Sequence, residues 1–178
     1  MRILLSVVTI AALILGYGYH HAATHGWLYI TLMDTSVKPY GGNVRDAELR
    51  LLDGGGKLLA DAKSDHKFGV VRLVHPEAGD CAAAEQSASA SPEARDQWQK
   101  CFKTLSTWLV SWAGRIRSAD VKFANCDLKA IPVIVRESRQ DWWLWWVPLP
   151  HMGGQPLTYF GVSINVDGAN CSAQRSSL

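Results

Sequence analysis

Between Arg2 and Asp34 the chain carries no residue with a fixed charge. That absence excludes an ordinary solvated N-terminal element, because a water-facing helix or strand of such length needs a polar side. Other absences narrow the chemistry. There is no G-x-S-x-G elbow, no H-E-x-x-H pair, no G-x-x-x-x-G-K-[ST] loop and no reactive-cysteine signature, so the named hydrolase and nucleotide-binding templates fail. No C-x-x-C pair is present, which removes the usual zinc and thioredoxin-like arrangements. The formal net charge is only +2, and no basic cluster is interleaved with aromatic residues, so nucleic acid is not an expected partner. These absences lead to an expectation of no catalytic residue, no metal and no cofactor, and of a protein that is not an enzyme.

What fills the uncharged stretch is ILLSVVTIAALILGYGY, from Ile3 to Tyr19, behind the lone Arg2. A basic start followed by an apolar helix is the pattern of export with the basic end kept inside. Two readings follow. As a cleaved signal, Ile3 to Leu15 is the apolar region and Gly16-Tyr17-Gly18 supplies small residues near a cleavage site. As a retained anchor, the helix extends through Ala22 and Ala23 towards the ~20 residues that a bilayer core needs, with Tyr17, Tyr19, Trp27 and Tyr29 as an aromatic belt. Ala-x-Ala is absent and His20 and His21 fall where small residues are preferred, which favours the anchor. The expected organisation is a signal anchor or transmembrane helix at residues 1–23 and a periplasmic domain at residues 24–178. The expected location is the inner membrane, crossed once.

The ~155 residues of the second part suffice for one domain with its own core. Four cysteines, Cys81, Cys101, Cys126 and Cys171, all lie in the part expected to be exported. Oxidising surroundings make disulfides the default, and of the three possible pairings Cys81 with Cys101 and Cys126 with Cys171 are favoured. The first brackets a helical insertion and the second ties a mid-chain loop to the tail.

Along the chain, strands are predicted at Trp27 to Met33, Val44 to Leu52, Lys57 to Ala60 and Phe68 to Val74, with Asp53-Gly54-Gly55-Gly56 as a turn. Asp80 to Ala90 is Ala/Ser-rich and reads as a surface loop. Ser91-Pro92-Glu93 is a helix start, after which Trp98, Cys101, Phe102, Leu105, Trp108, Leu109 and Trp112 recur at helical spacing until Gly114. Four further strands are expected at Val121 to Ala124, Ile131 to Glu137, Asp141 to Val147 and Leu157 to Val166, the second disturbed by Pro132.

The stretch VRDAELRL from Val44 to Leu51, then Gly56-Lys57-Leu58-Leu59-Ala60, Ser64-Asp65 and Phe68-Gly69-Val70-Val71, resembles the repeat of carboxypeptidase regulatory-like and transthyretin-like domains over residues 44–74. The glycine follows the phenylalanine here, whereas the family places it before. The resemblance implies a β-sandwich and no catalytic residue, since members of that family mostly bind or assemble. The fold class expected is therefore all-β: an Ig-like or transthyretin-like sandwich with one inserted amphipathic helix at residues 91–114, preceded by an N-terminal transmembrane helix.

Trp142-Trp143-Leu144-Trp145-Trp146 is the sharpest local feature of this part. Both faces of a strand here would be apolar, so it is either a central strand buried on both sides or a recognition surface. Trp142, Trp143, Trp145 and Trp146, with Trp108 and Trp112 on the helix, are the candidate binding residues. His20, His21 and His25 invite a metal, but no acid or cysteine completes a ligand set nearby. The function expected is a membrane-anchored envelope protein that binds or stabilises a larger membrane or periplasmic assembly. Its partners would be other membrane or periplasmic proteins, with the membrane reached through the N-terminal helix. Recognition of a carbohydrate or peptide through the tryptophans is the alternative, and a metal-dependent or hydrolytic enzyme the second alternative.

Overall fold

The structure is a computed structural model, and it describes residues 2–39, 41–74, 91–138 and 157–174. The chain begins with helix α1 (Arg2–Thr24), followed by β1 (Gly26–Asp34), the two-residue β2 (Gly42–Asn43), β3 (Glu48–Leu52), β4 (Leu58–Ser64) and β5 (Val71–Val74). Helix α2 (Pro92–Val110) and a 3-10 turn at Ala113–Arg115 lead to β6 (Ser118–Phe123), β7 (Cys126–Pro132), β8 (Val135–Ser138), β9 (Thr158–Asp167) and β10 (Ser172–Gln174).

Among the described residues the strands form two five-stranded sheets. One is an antiparallel sheet in the order β5-β4-β3-β6-β7. The other is mixed. Its β9 runs parallel to β1 from Gly26 opposite Thr158 to Asp34 opposite Val166. The remaining edge of β9 is shared by β8, opposite Tyr159 to Val162, and β10, opposite Asn165 to Asp167, both antiparallel. Alternation explains the core. Leu28, Ile30 and Leu32 on β1 and Phe160, Val162, Ile164 and Val166 on β9 are buried, as are Leu49, Leu51, Ala60, Ala62, Ala119 and Val121 in the antiparallel sheet. One cluster of buried residues draws on both sheets and on Leu109, Trp112 and Ala113 at the end of α2.

The turns follow the sequence. Asp53 Oδ1 accepts from the Gly55 and Lys57 amides, both at 2.9 Å, and Gly56 takes a φ of 78° to reverse the chain. Ser91 caps α2 by accepting from the Ala94 amide at 3.1 Å, with Pro92 behind it. The helix stops at Val110, where Ser111 folds back on the Trp108 carbonyl, and Gly114 falls in the following 3-10 turn.

Two expectations are corrected. The fold is mixed α/β, not an all-β Ig-like or transthyretin-like sandwich, because β1 and β9 pair in parallel and two α-helices are present among the described residues. Period-two alternation is the same in parallel and antiparallel strands, so the sequence pattern carried no sign of direction. The second correction concerns α1: among the described residues no helix is long and apolar enough to cross a membrane, which overturns the single-pass inner-membrane location. At 1.5 Å per residue Ile3 to Leu15 reaches only about 20 Å, short of a ~30 Å hydrocarbon core. Beyond it the helix carries His20 and His21 and packs on the domain, with Gly18 and Ala22 buried and Thr158 Oγ1 donating to the Ala22 carbonyl at 2.8 Å.

The predicted strand Ile131 to Glu137 is two elements. Pro132 is the last residue of β7, and the chain passes to the other sheet before β8 begins at Val135. The predicted strand Asp141 to Val147 lies outside the described residues, as does the loop from Asp80 to Ala90.

Candidate functional site

Two surfaces stand out from the solvated remainder, and they meet where α1 enters β1. The first is α1 itself. From Ser6 to Ile14 every side chain is exposed, including Val7 at 58%, Ile10 at 57% and Leu13 at 67%. Tyr17 and Tyr19 extend this surface towards the domain. A helix that is apolar on all sides is normally enclosed, since each exposed aliphatic side chain forgoes about 1.5–3 kcal/mol of burial.

The second surface is the outer face of the mixed sheet. Trp27, Tyr29, Thr31 and Met33 on β1 and Tyr159, Gly161, Ser163 and Asn165 on β9 point away from the core, and none is charged. A row of rings crosses it. Trp98 and Phe102 on α2 lie 5.5 Å apart, Phe102 stacks on Trp27 at 5.3 Å, Trp27 meets Tyr29 edge-on at 6.1 Å, and Tyr29 stacks on Tyr159 at 5.9 Å. The parallel register makes the last contact, because it sets Tyr159 opposite Trp27 and one diagonal step from Tyr29. Tyr29 is 55% exposed.

The antiparallel sheet is different on its outer face. Glu48 stands between Lys63 and Lys122, and Arg50 between Asp61 and Asp120. Lys63 lies 3.7 Å from Glu48, Arg50 4.0 Å from Asp61, and Lys129 2.7 Å from Asp127 and 4.0 Å from Asp120. A shallow groove runs over these residues. Signs alternate and neighbours neutralise one another, so this face is solvated and presents no field of one sign.

His20 and His21 lie at the end of α1, and His25 joins it to β1. The rings of His21 and His25 stack at 4.1 Å with planes 4° apart, and Tyr17 packs on His21 at 5.9 Å. Burial holds His25 below its ordinary value, and His21, Lys103 and His20 add to the effect. The bond from its Nδ1 to the His21 carbonyl, at 3.2 Å, opposes this in part.

One further pair has the outline of catalytic machinery. His66 Nδ1 lies 2.7 Å from Asp46 Oδ2 on the exposed surface, and Ser64 is two residues away. The hydroxyl of Ser64 is buried and accepts from the Ala47 amide at 2.8 Å, so it is committed to bracing β4. Among the described residues no hydroxyl bonds to His66, and no group of three His, Cys, Asp or Glu side chains is gathered as metal ligands.

The candidate residues fall as follows. Trp112 is buried in the core at 3% exposure, and Trp108 is half-buried against it with ring centroids 4.8 Å apart. The Trp112 indole Nε1 finds no acceptor among the described residues. Trp142, Trp143, Trp145 and Trp146 lie outside the described residues. Cys126 bonds to Cys171, the pairing expected, and Cys101 is disulfide-bonded, while its expected partner Cys81 lies outside the described residues. The ring row of Trp27, Tyr29 and Tyr159 escaped the sequence because it depends on the register between strands separated by most of the chain. Its only signal was aromatic residues at the wet positions of two alternating strands.

No protein-family model, no curated protein and no solved structure matches this chain.

Proposed function

We propose that this protein is a non-enzymatic docking module that joins a larger assembly by seating α1 in an apolar groove of a protein partner. The observation that carries the reading is the exposure of Val7, Val8, Ile10, Leu13 and Ile14 on a helix with no fixed charge between Arg2 and Asp34. Lying flat on a lipid surface would require a strongly polar face, which α1 lacks. An enclosing groove satisfies a helix that is apolar all round, in the manner of helix-in-groove recognition. The two-sheet domain acts as the rigid body that α1 attaches.

The row of Trp98, Phe102, Trp27, Tyr29 and Tyr159 supports a second reading, recognition of a carbohydrate or peptide on the mixed sheet. Uncharged Tyr, Thr, Ser and Asn positions beside rings make an adaptable contact surface.

The test places a photo-crosslinking residue at Val8, at Leu13, at Tyr29 or at Lys122 and irradiates intact cells. The docking reading expects one discrete protein adduct from Val8 and Leu13 and none from Lys122. Adducts to lipid alone from Val8 and Leu13 would overturn it, and adducts confined to Tyr29 would favour the second reading.

A further inference from the structure

The outer face of the antiparallel sheet is ordered in two dimensions. In one cross-strand row Lys63, Glu48, Lys122 and Asp127 stand side by side on β4, β3, β6 and β7. In the next row Asp61, Arg50 and Asp120 follow on the first three of those strands, and Lys129 of β7 lies 4.0 Å from Asp120. Signs alternate along each row and again between the rows, as on a checkerboard. Leu49, Ala62 and Val121 point into the core between them, so the backbone beneath the charges is braced. Asp120 is half-buried, with its Oδ1 accepting from the Ala130 amide at 2.9 Å, and the other charged residues are exposed.

Such a face attracts neither a polyanion nor a polycation, because neighbouring charges cancel over a few ångströms. It is matched only by a surface that repeats the alternation with the signs reversed. A second copy of the chain presents that surface. A two-fold axis lying in the plane of contact, along the line between β3 and β6, sets β3 of one copy over β6 of the other and β4 over β7. Every charge then meets its opposite: Glu48 meets Lys122, Arg50 meets Asp120, Lys63 meets Asp127 and Asp61 meets Lys129, each twice by symmetry. The line between β3 and β4 does not serve, since it brings Arg72 on β5 over Lys122. We propose that this face is the interface of a homodimer built on the β3–β6 axis. The interface uses neither α1 nor the mixed sheet, so it is independent of what α1 seats in. Exposed ion pairs contribute little one by one and their burial costs hydration, so the dimer is weak, specific and sensitive to salt.

Co-purification of full chains bearing two different tags, in a mild non-ionic detergent that covers α1, tests the interface. The parent should recover its differently tagged copy, and raising the salt from about 50 mM to about 500 mM should lower the recovery by about tenfold. Glu48→Lys sets lysine against Lys122 twice and Lys122→Glu sets glutamate against Glu48 twice, so each variant should recover itself about tenfold less well or worse. Mixed together, the two variants should recover one another as the parent does, because the introduced lysine faces the introduced glutamate and Lys122 faces Glu48. Lys63→Glu changes the charge by the same amount as Lys122→Glu at a position that does not mirror Glu48, and it should not rescue Glu48→Lys. A parent that does not recover itself, or does so regardless of salt, overturns the proposal. So does self-recovery that the single reversals leave unchanged, which would place the association at another surface such as α1. Failure of the two reversals to rescue one another overturns it, as does equal rescue by Lys63→Glu, which would show attraction by net charge alone.

Discussion

At the scale of single residues the turns of the antiparallel sheet separate two uses of glycine. Gly56 takes a φ of 78° in open space, since a Cβ built there meets nothing within 4 Å. Gly69 takes 68°, and its Cβ would stand 2.7 Å from Asn43 Cβ and 2.8 Å from the Val44 carbonyl. Gly56→Ala is therefore expected to cost about 1 kcal/mol for the left-handed backbone alone. Gly69→Ala adds a backbone collision and is expected to cost about 2–4 kcal/mol. Denaturant unfolding of both variants measures the difference, and equal costs would mean that the β2 segment yields freely. Asp53-Gly54-Gly55-Gly56 announces its turn by composition. The contact that makes Gly69 irreplaceable comes from residues some 25 positions upstream, and no local pattern carries it.

At the scale of elements, α2 shows how far periodicity reaches. Ser91-Pro92-Glu93 fixed its start, and the apolar spacing fixed which side turns inward. Only Leu105, Ser106 and Leu109 are buried, whereas Trp98 and Phe102 stay half-buried in the ring row. Leu109→Ala should cost about 2–5 kcal/mol, because its side chain is 1% exposed within the common core. Thr107→Ala, on the exposed side of the same turn, should stay within about 0.5 kcal/mol. Thermal melts of the two variants give the comparison, and similar losses would show that α2 does not close the core. The pairing of β1 with β9 was not legible, because alternation states which residues face inward and not which strand lies alongside or in which direction.

At the scale of the whole molecule, the Cys126–Cys171 disulfide joins the start of β7 in one sheet to the turn between β9 and β10 in the other, across a sequence separation of 45. In the chain-entropy account a loop of that size contributes about 4 kcal/mol. Replacing both cysteines by Ala should lower stability by about 2–5 kcal/mol and leave the ring row of the mixed sheet in place. Denaturant unfolding under oxidising conditions measures the first, and the chemical shifts of Trp27, Tyr29 and Tyr159 report the second. A loss of the folded state altogether would show that the bond, and not the shared core, holds the sheets together.

The sequence by itself determined the uncharged N-terminal helix, the capped start of α2, the turn at Asp53, the alternation of β3 and β9, and a choice among three pairings of its four cysteines. Each of these rests on interactions within a few residues, on a period, or on a small number of combinations. Tertiary structure alone decided that β1 and β9 run in parallel, that the fold is mixed α/β, that Trp112 belongs to the core, and that Trp27, Tyr29 and Tyr159 form one row. It also decided that the end of α1 packs on the domain through Ala22 and Thr158. The physical reason is that those features depend on which distant segments share a surface, and burial is favourable for any apolar partner of the right shape.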